Sequence, residues 1–470
     1  MNTRWLRTPP GCLADLPNPK ETMLDLEQTS PESVCDLGRG GGDSTSSCQG
    51  NSALATLGLS LLAVLLVLWN AVLFCCLLVG MPQNDFCRMY YTAHAFWQGE
   101  DMYGRNPATP AKLDEDNSIE LWNMNPPHFH LVLLPLGAMQ PEAALACWWA
   151  INFLCLGLCL RWIVREGELK LTPRARQLGL VALLGFTGTA TMILTSQLSF
   201  LLLVPITLAW IGARRGRWFR CGLWLGIALS VKPFLLLLVP YLALRRRWSA
   251  VVGCVAATLV CFALGLVVFG FDSHLSWYRG LNMAVTWAWL PLNASLEGML
   301  QRTFAENLYF VHAATLSTHD LHLLSIVLGA VLALVTLLFA WRDCSPLELD
   351  RSFALLLTAS VMLCPLGWAY YFWLPLGPTL VLITAWMRKG APVGWREIWS
   401  RRLFWVAVAG LFCPIQILRL GQPFPLATVL IGNLYFWTIL GIWLGLLLDS
   451  WAARTPRSAI RASHALSPRF

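Results

Sequence analysis

CPLGWAYYFWLPLGP, residues 364–378, breaks an apolar segment in its middle. Pro365, Gly367, Pro375, Gly377 and Pro378 interrupt it, and Trp368, Tyr370, Tyr371, Phe372 and Trp373 crowd between them. Proline removes a backbone donor and clashes with the preceding turn. Lipid offers nothing to the freed backbone groups, so such a break needs protein or a water-lined cavity around it. Residues 352–387, bounded by charged residues on both sides, are therefore expected to be a hairpin that enters and leaves on one side. Residues 221–244 break in the same way at Lys232-Pro233.

The surrounding chain fits a lipid environment. Its 470 residues are 56% hydrophobic and 13% charged, with 24 Trp and a mean hydropathy of +0.57, far from the soluble average. A membrane-crossing helix needs roughly 20 mainly apolar residues. Stretches that meet or approach this begin near Ser52, Pro141, Gln177, Gln197, Ser249, Leu321, Leu403 and Leu426. The expected fold is an all-α polytopic membrane protein: eight full spans, two broken hairpins, and short re-entrant or interfacial helices on the outer face.

Lys and Arg in short connections orient the chain. Arg214, Arg215, Arg217 and Arg220, the triplet Arg245–Arg247, and Arg388, Lys389, Arg396, Arg401 and Arg402 are expected on the cytoplasmic side, as are residues 161–176. Acid-rich 81–127 suits the outer face, with 271–320 as the large outer loop. Residues 1–51 lack apolar periodicity and are expected to be a disordered cytoplasmic tail; 52–450 form the membrane domain, and 451–470 a basic cytoplasmic tail. The first apolar run starts near residue 52, too late for a cleaved signal, so the first helix is expected to be a retained anchor. Most of the fifteen cysteines lie within apolar spans and read as small packing residues.

Polar residues expected on the outer side carry the chemistry. Asp85 stands at the membrane boundary, followed by Tyr90 and Tyr91 on a short interfacial helix. A carboxylate at that depth suits proton abstraction, although a helix-capping role is equally open to it. Asn125, His128 and His130 stand at the mouth of a short apolar dip; the two His alone fall short of a metal set. Gln197 sits in a tight turn. Lys232, an ammonium within an apolar hairpin, is by default functional, and phosphate is its natural partner. Asn293, Ser295 and Arg302 offer polar groups beside Trp277, Trp287 and Trp289; Arg suits bidentate phosphate contact, or a lipid headgroup. Asn293-Ala-Ser295 also matches a glycosylation acceptor, a pattern frequent by chance.

In order along the chain, these landmarks resemble glycosyltransferase family 87, of the GT-C fold. Asp85-Phe86, Tyr90, Tyr91, Gly99 and Tyr103 resemble the family's first outer loop, and Met124-Asn125-Pro126-Pro127 its Pro-Pro entry without the usual aromatic residue. Ser196-Gln197 resembles a Gly-Gln turn, Gly226 to Lys232-Pro233 a Gly…Lys-Pro hairpin, and Asn293, Ser295 and Arg302 an Asn-x-Ser…Arg pattern. Pro365 and Trp368 resemble a Pro-x-x-Trp-x-His-His segment, with Tyr370 and Tyr371 standing where relatives carry His. A tyrosine hydroxyl can hydrogen-bond but is no base at neutral pH.

The resemblance implies hexose transfer, mannose by default, from a polyprenyl-phosphate sugar to a lipid or glycan acceptor on the outer side of the plasma membrane. Asp85 would take the acceptor proton, and Lys232 and Arg302 would stabilise the leaving phosphate. Tyr90, Tyr91, Asn125, Gln197, Asn293, Ser295, Trp368, Tyr370 and Tyr371 would line the pocket. The implied partners are the lipid-linked sugar, its acceptor and membrane lipids, with no nucleic acid, cofactor or metal. Two rivals stand beside it. A transporter or flippase for a lipid-linked or anionic solute would use broken helices at midplane, and a relative that kept the fold could lack catalysis.

Overall fold

The computed structural model describes residues 45–79, 85–112, 118–281, 286–341, 345–392 and 394–454. The chain divides into two units, residues 1–55 and 56–470. Most of the expected N-terminal tail (1–44) and of the basic C-terminal tail (455–470) lies outside the described residues. Helix α1 (Thr45–Val79) starts ahead of the boundary expected at residue 52.

The second unit continues through α2 (Asp85–Gln98), α3 (Leu134–Gly137), α4 (Pro141–Glu166), α5 (Pro173–Gly185), α6 (Thr187–Thr195), α7 (Ser199–Arg214), α8 (Trp218–Val231) and α9 (Leu238–Leu244). There follow α10 (Trp248–Gly280), α11 (Leu296–Phe304), α12 (Thr318–Ala340), α13 (Pro346–Leu363), α14 (Leu376–Lys389), α15 (Trp395–Gly410), α16 (Pro425–Ala427) and α17 (Leu434–Arg454). The strands among the described residues are a short antiparallel pair, β1 (Pro110–Lys112) with β2 (Ser118–Glu120), in which Ala111 pairs with Ile119.

Among the described residues, five helical stretches are long and apolar enough to cross a membrane: Leu57–Cys76 within α1, and α4, α10, α12 and Leu434–Ala453 within α17. The count becomes seven if α5 with α6, bent by 48°, and α15 with Ile415–Gly421, bent by 95°, each form one span. Those seven fall where seven of the eight expected spans begin. The eighth, near Gln197, is α7, whose 16 residues rise about 24 Å, short of the ~30 Å hydrocarbon core. Rows of exposed leucine and valine, such as Leu61, Leu65 and Leu68 on α1 and Val252, Val260 and Val267 on α10, face outward. Such surfaces would be a liability in water and suit lipid.

Both broken segments are hairpins. Helices α8 and α10 run parallel: a Cβ on Gly222 would meet the Ala250 carbonyl at 1.9 Å, and one on Gly226 would meet that of Cys254 at 2.3 Å. The Thr258 hydroxyl also donates to the Gly226 carbonyl at 3.1 Å. Two parallel neighbours require the intervening chain to return, and Arg247, at the start of α10, lies 4.3 Å over the Trp218 ring at the start of α8. The turnaround is Lys232 and the 3-10 turn Pro233–Leu237. In the second segment Asp449 bridges the two feet, accepting from Arg351 Nε at 2.5 Å on α13 and from Trp386 Nε1 at 3.1 Å on α14.

Small residues four apart let the α8 and α10 backbones touch. Gly222→Val is therefore expected to cost about 1–3 kcal/mol, read as a lower temperature of aggregation in detergent by size-exclusion chromatography. Gly157→Val on α4, where a Cβ meets nothing within 4 Å, is the control. Equal loss in both would mean that the close approach is not what the glycine serves.

The bundle has two unlike ends. At one, Arg214 pairs with Asp350 and with Glu166, and Arg215 Nη2 reaches Glu166 at 2.6 Å. There too Arg245 donates to the Trp341 carbonyl at 2.8 Å and Arg388 to that of Glu168 at 3.1 Å. Burial raises the Asp350 carboxyl above its usual range, against the pull of Arg214. The connections expected on the cytoplasmic side thus gather at this end. The opposite end holds Asp85, Gln197, Lys232 and Pro365.

Candidate functional site

Asp85 opens α2, where an anionic side chain complements the helix dipole. Arg88 Nη1 donates to its Oδ1 at 2.5 Å and Gln197 Nε2 to its Oδ2 at 2.7 Å. The carboxylate is 26% exposed. A carboxylate offers about four acceptor positions, so two donors leave it able to take a proton. Arg88 was not singled out in the sequence; the signal for it was a charge pair at i,i+3.

Gln197 is aimed by the turn before it. Ser196 closes α6 with φ +52, the left-handed region, and its carbonyl accepts from Trp148 Nε1 at 2.8 Å. A glycine takes that conformation freely whereas other residues pay for it. This explains physically why the resembling turn reads Gly-Gln.

Lys232 follows the last turn of α8, half-buried. Its ammonium stands 6.0 Å from the centre of the Tyr371 ring, and Asp85 is the nearby carboxylate whose charge acts on it. Tyr370 and Tyr371 are buried, with ring centroids 4.8 Å apart, and Phe234 of the Lys232 hairpin packs on the Tyr371 ring at 4.9 Å. Trp368 packs beside Tyr370, with ring centroids 6.3 Å apart. Thus Asp85, Gln197, Lys232, Tyr370 and Tyr371 come together, with Trp368 at their edge.

Other expected pocket residues hold backbone instead. The Tyr90 hydroxyl donates to the Met139 carbonyl at 2.8 Å, tying α2 to the loop after α3, while Tyr91 packs on it at 5.2 Å between ring centroids. Asn125 lies in a network: its carbonyl accepts from the Tyr103 hydroxyl at 2.6 Å and its Nδ2 donates to Asn123 Oδ1 at 3.0 Å. Its own Oδ1 is buried without a partner. Burial holds the Tyr103 phenol well above its ordinary range, so it stays a donor. Burial likewise pushes His130 down to about 3. Neutral, His130 can donate from Nδ1 to the Pro126 carbonyl at 3.2 Å and accept at Nε2 from Asn123 Nδ2 at 2.7 Å. His128 Nε2 donates to the Ser230 carbonyl at 3.1 Å, docking this loop on the end of α8. Among the described residues no three His, Cys, Asp or Glu side chains converge as a metal set would require.

Asn293 and Ser295 are wholly buried and lace the loop before α11 to the break at Pro365–Gly367. Asn293 Nδ2 donates to the carbonyls of Ala288 and Pro365, each at 2.8 Å, and the Ser295 hydroxyl donates to the latter at 3.1 Å. Backbone bonds from Ala294 to Gly367 at 2.8 Å and from Ala369 to Leu292 at 3.0 Å complete the lacing. The glycosylation match therefore has no free amide to offer in the folded chain.

Arg302 departs most from expectation. It is 1% exposed, and its guanidinium donates to Asn433 Oδ1 at 2.8 Å and to the carbonyls of Asn293 at 2.8 Å, Leu290 at 3.0 Å and Trp289 at 3.5 Å. With Nε and both Nη atoms engaged on protein acceptors it fixes residues 289–293 and presents no open fork to a phosphate. Of the two cations expected to meet a phosphate, Lys232 is thus the one left near Asp85, which Arg88 already holds in a salt bridge.

No curated protein and no solved structure matches this chain. The family model of glycosyltransferase family 87 matches residues 123–365, just over half of the chain. That stretch contains Asn125, Gln197, Lys232, Asn293, Ser295, Arg302 and Pro365, and excludes Asp85, Tyr370 and Tyr371. The all-α bundle of membrane-crossing helices and this match together make the chain a membrane protein of glycosyltransferase family 87.

Proposed function

We propose that this chain transfers a hexose, mannose by default, from a polyprenyl-phosphate donor to a lipid or glycan acceptor on the outer side of the plasma membrane. Both termini then lie on the cytoplasmic side. The observation that carries the reading is the meeting of Asp85, held by Arg88 and Gln197, with Lys232 at the broken end of one hairpin and Tyr370 and Tyr371 at the other.

In this mechanism an acceptor hydroxyl attacks the anomeric carbon as its proton passes to Asp85. A new carbon–oxygen bond forms, the bond to the lipid phosphate breaks, and its electron pair leaves on the phosphate oxygen. Lys232 offsets the charge developing there. The two tyrosine hydroxyls offer hydrogen bonds at the positions where relatives carry His. Arg302, Asn293 and Ser295 hold the loop that walls the site. The reading is tested by transfer of radiolabelled mannose from polyprenyl-phosphate mannose to endogenous acceptors in membranes containing the protein. Transfer above that of membranes without it supports the reading; none, across several donors and acceptors with an inserted protein, moves it to a transporter or an inactive relative.

A further inference from the structure

A cavity of about 580 Å³ lies outside the cluster around Asp85, between β2, the segment Thr286–Trp289 and the loop after α11. Trp287, Trp289 and Ile119 give it apolar walls, and Glu120, Glu306 and Asn307 supply carboxylates and an amide. Its size is that of a small-molecule site. Arg105 fixes Glu120 from 3.2 Å. Asn307 is braced by its own loop: its Oδ1 accepts from the Phe310 backbone at 2.7 Å, and its Nδ2 donates to the Ala305 carbonyl at 3.1 Å.

We propose that this cavity binds a sugar ring of the acceptor, an assignment that rests on the transferase reading above. A pyranose has a C–H face that packs on an indole and a rim of hydroxyls that donate to carboxylates; the cavity offers both surfaces together. Glu120 is offset by Arg105, but Glu306 adds a negative charge that disfavours a phosphate, so the phosphate-linked sugar of the donor is the poorer occupant. The cavity is also rigidly connected to the reacting end. Arg302 grips the carbonyls of Trp289 and Leu290, and the same loop is laced to Pro365–Ala369, directly before Tyr370.

The test uses the full chain in nanodiscs of neutral lipid, titrated with methyl α-mannoside and an α-linked mannobiose and followed by saturation-transfer NMR. Binding is expected in the wild type, weakened about tenfold or more by Trp289→Ala, retained in Trp289→Tyr, and weakened by Glu306→Gln. In the transfer assay Trp289→Ala is expected to raise the acceptor KM with the donor KM unmoved. Absence of saccharide binding in the wild type, or binding that both Trp289→Ala and Glu306→Gln leave intact, overturns the proposal. A raised donor KM with an unmoved acceptor KM also overturns it, since the ring would then be the donor's. Trp289-dependent binding in a protein that transfers nothing keeps the sugar site and sinks the transferase reading instead.

Discussion

Asp85→Asn is expected to lower transfer by about a hundred- to ten-thousand-fold, the range for loss of a general base. The substitution keeps the shape of the side chain and one oxygen for Arg88, while Gln197 can turn its amide to meet the new one. What disappears is the capacity to take a proton. The loss is therefore expected in kcat at an unchanged donor KM, with the unfolding temperature in detergent little altered. If unfolding falls together with activity, Asp85 is the anchor of α2 and not the base. If activity survives, the base lies elsewhere.

Arg302→Lys carries the largest expected effect on stability. Lysine keeps the charge but not the planar fork, and cannot reach Asn433 and three carbonyls at once. Leaving buried acceptors and a misplaced buried charge costs about 3 kcal/mol or more. A folding defect measurable before any substrate is added is thus the expected outcome, with Asn433→Ala reproducing part of it. A lysine variant that folds normally and only binds donor less well would return Arg302 to the phosphate.

The spans and both hairpins were legible because their causes are local. Apolar length marks a crossing, and Lys232-Pro233 and Pro365 mark the two interruptions. Asp85 and Lys232 stood out because charge near lipid is costly and rarely idle. Arg302, Asn293 and Ser295 were the residue types a substrate site would use, and sequence order cannot show that the carbonyls of residues 288–293 and 365 claim them. Nor could it show Tyr90 spent on Met139, or Asn433 answering Arg302 from 131 positions away. Arg88 escaped notice because an i,i+3 charge pair on a helix is common. Helix α7 was expected as a full span on its composition; it runs only from Ser199 to Arg214, where the basic cluster ends it.

The lacing of the outer loop sets an order of events during synthesis. The loop before α11 leaves the ribosome long before Pro365 and Gly367, and longer still before Asn433. At about 5–20 residues/s, the wait for Asn433 is roughly ten seconds. Until then Arg302 can hold the carbonyls of Trp289, Leu290 and Asn293, already made, while its Nε waits for Asn433. A chain arrested before residue 433 could insert most of its helices and still lack a finished outer wall, so nascent chains gain a working site only as the last helix is threaded. The region matched by the family, ending at residue 365, is on this account not a separable enzyme.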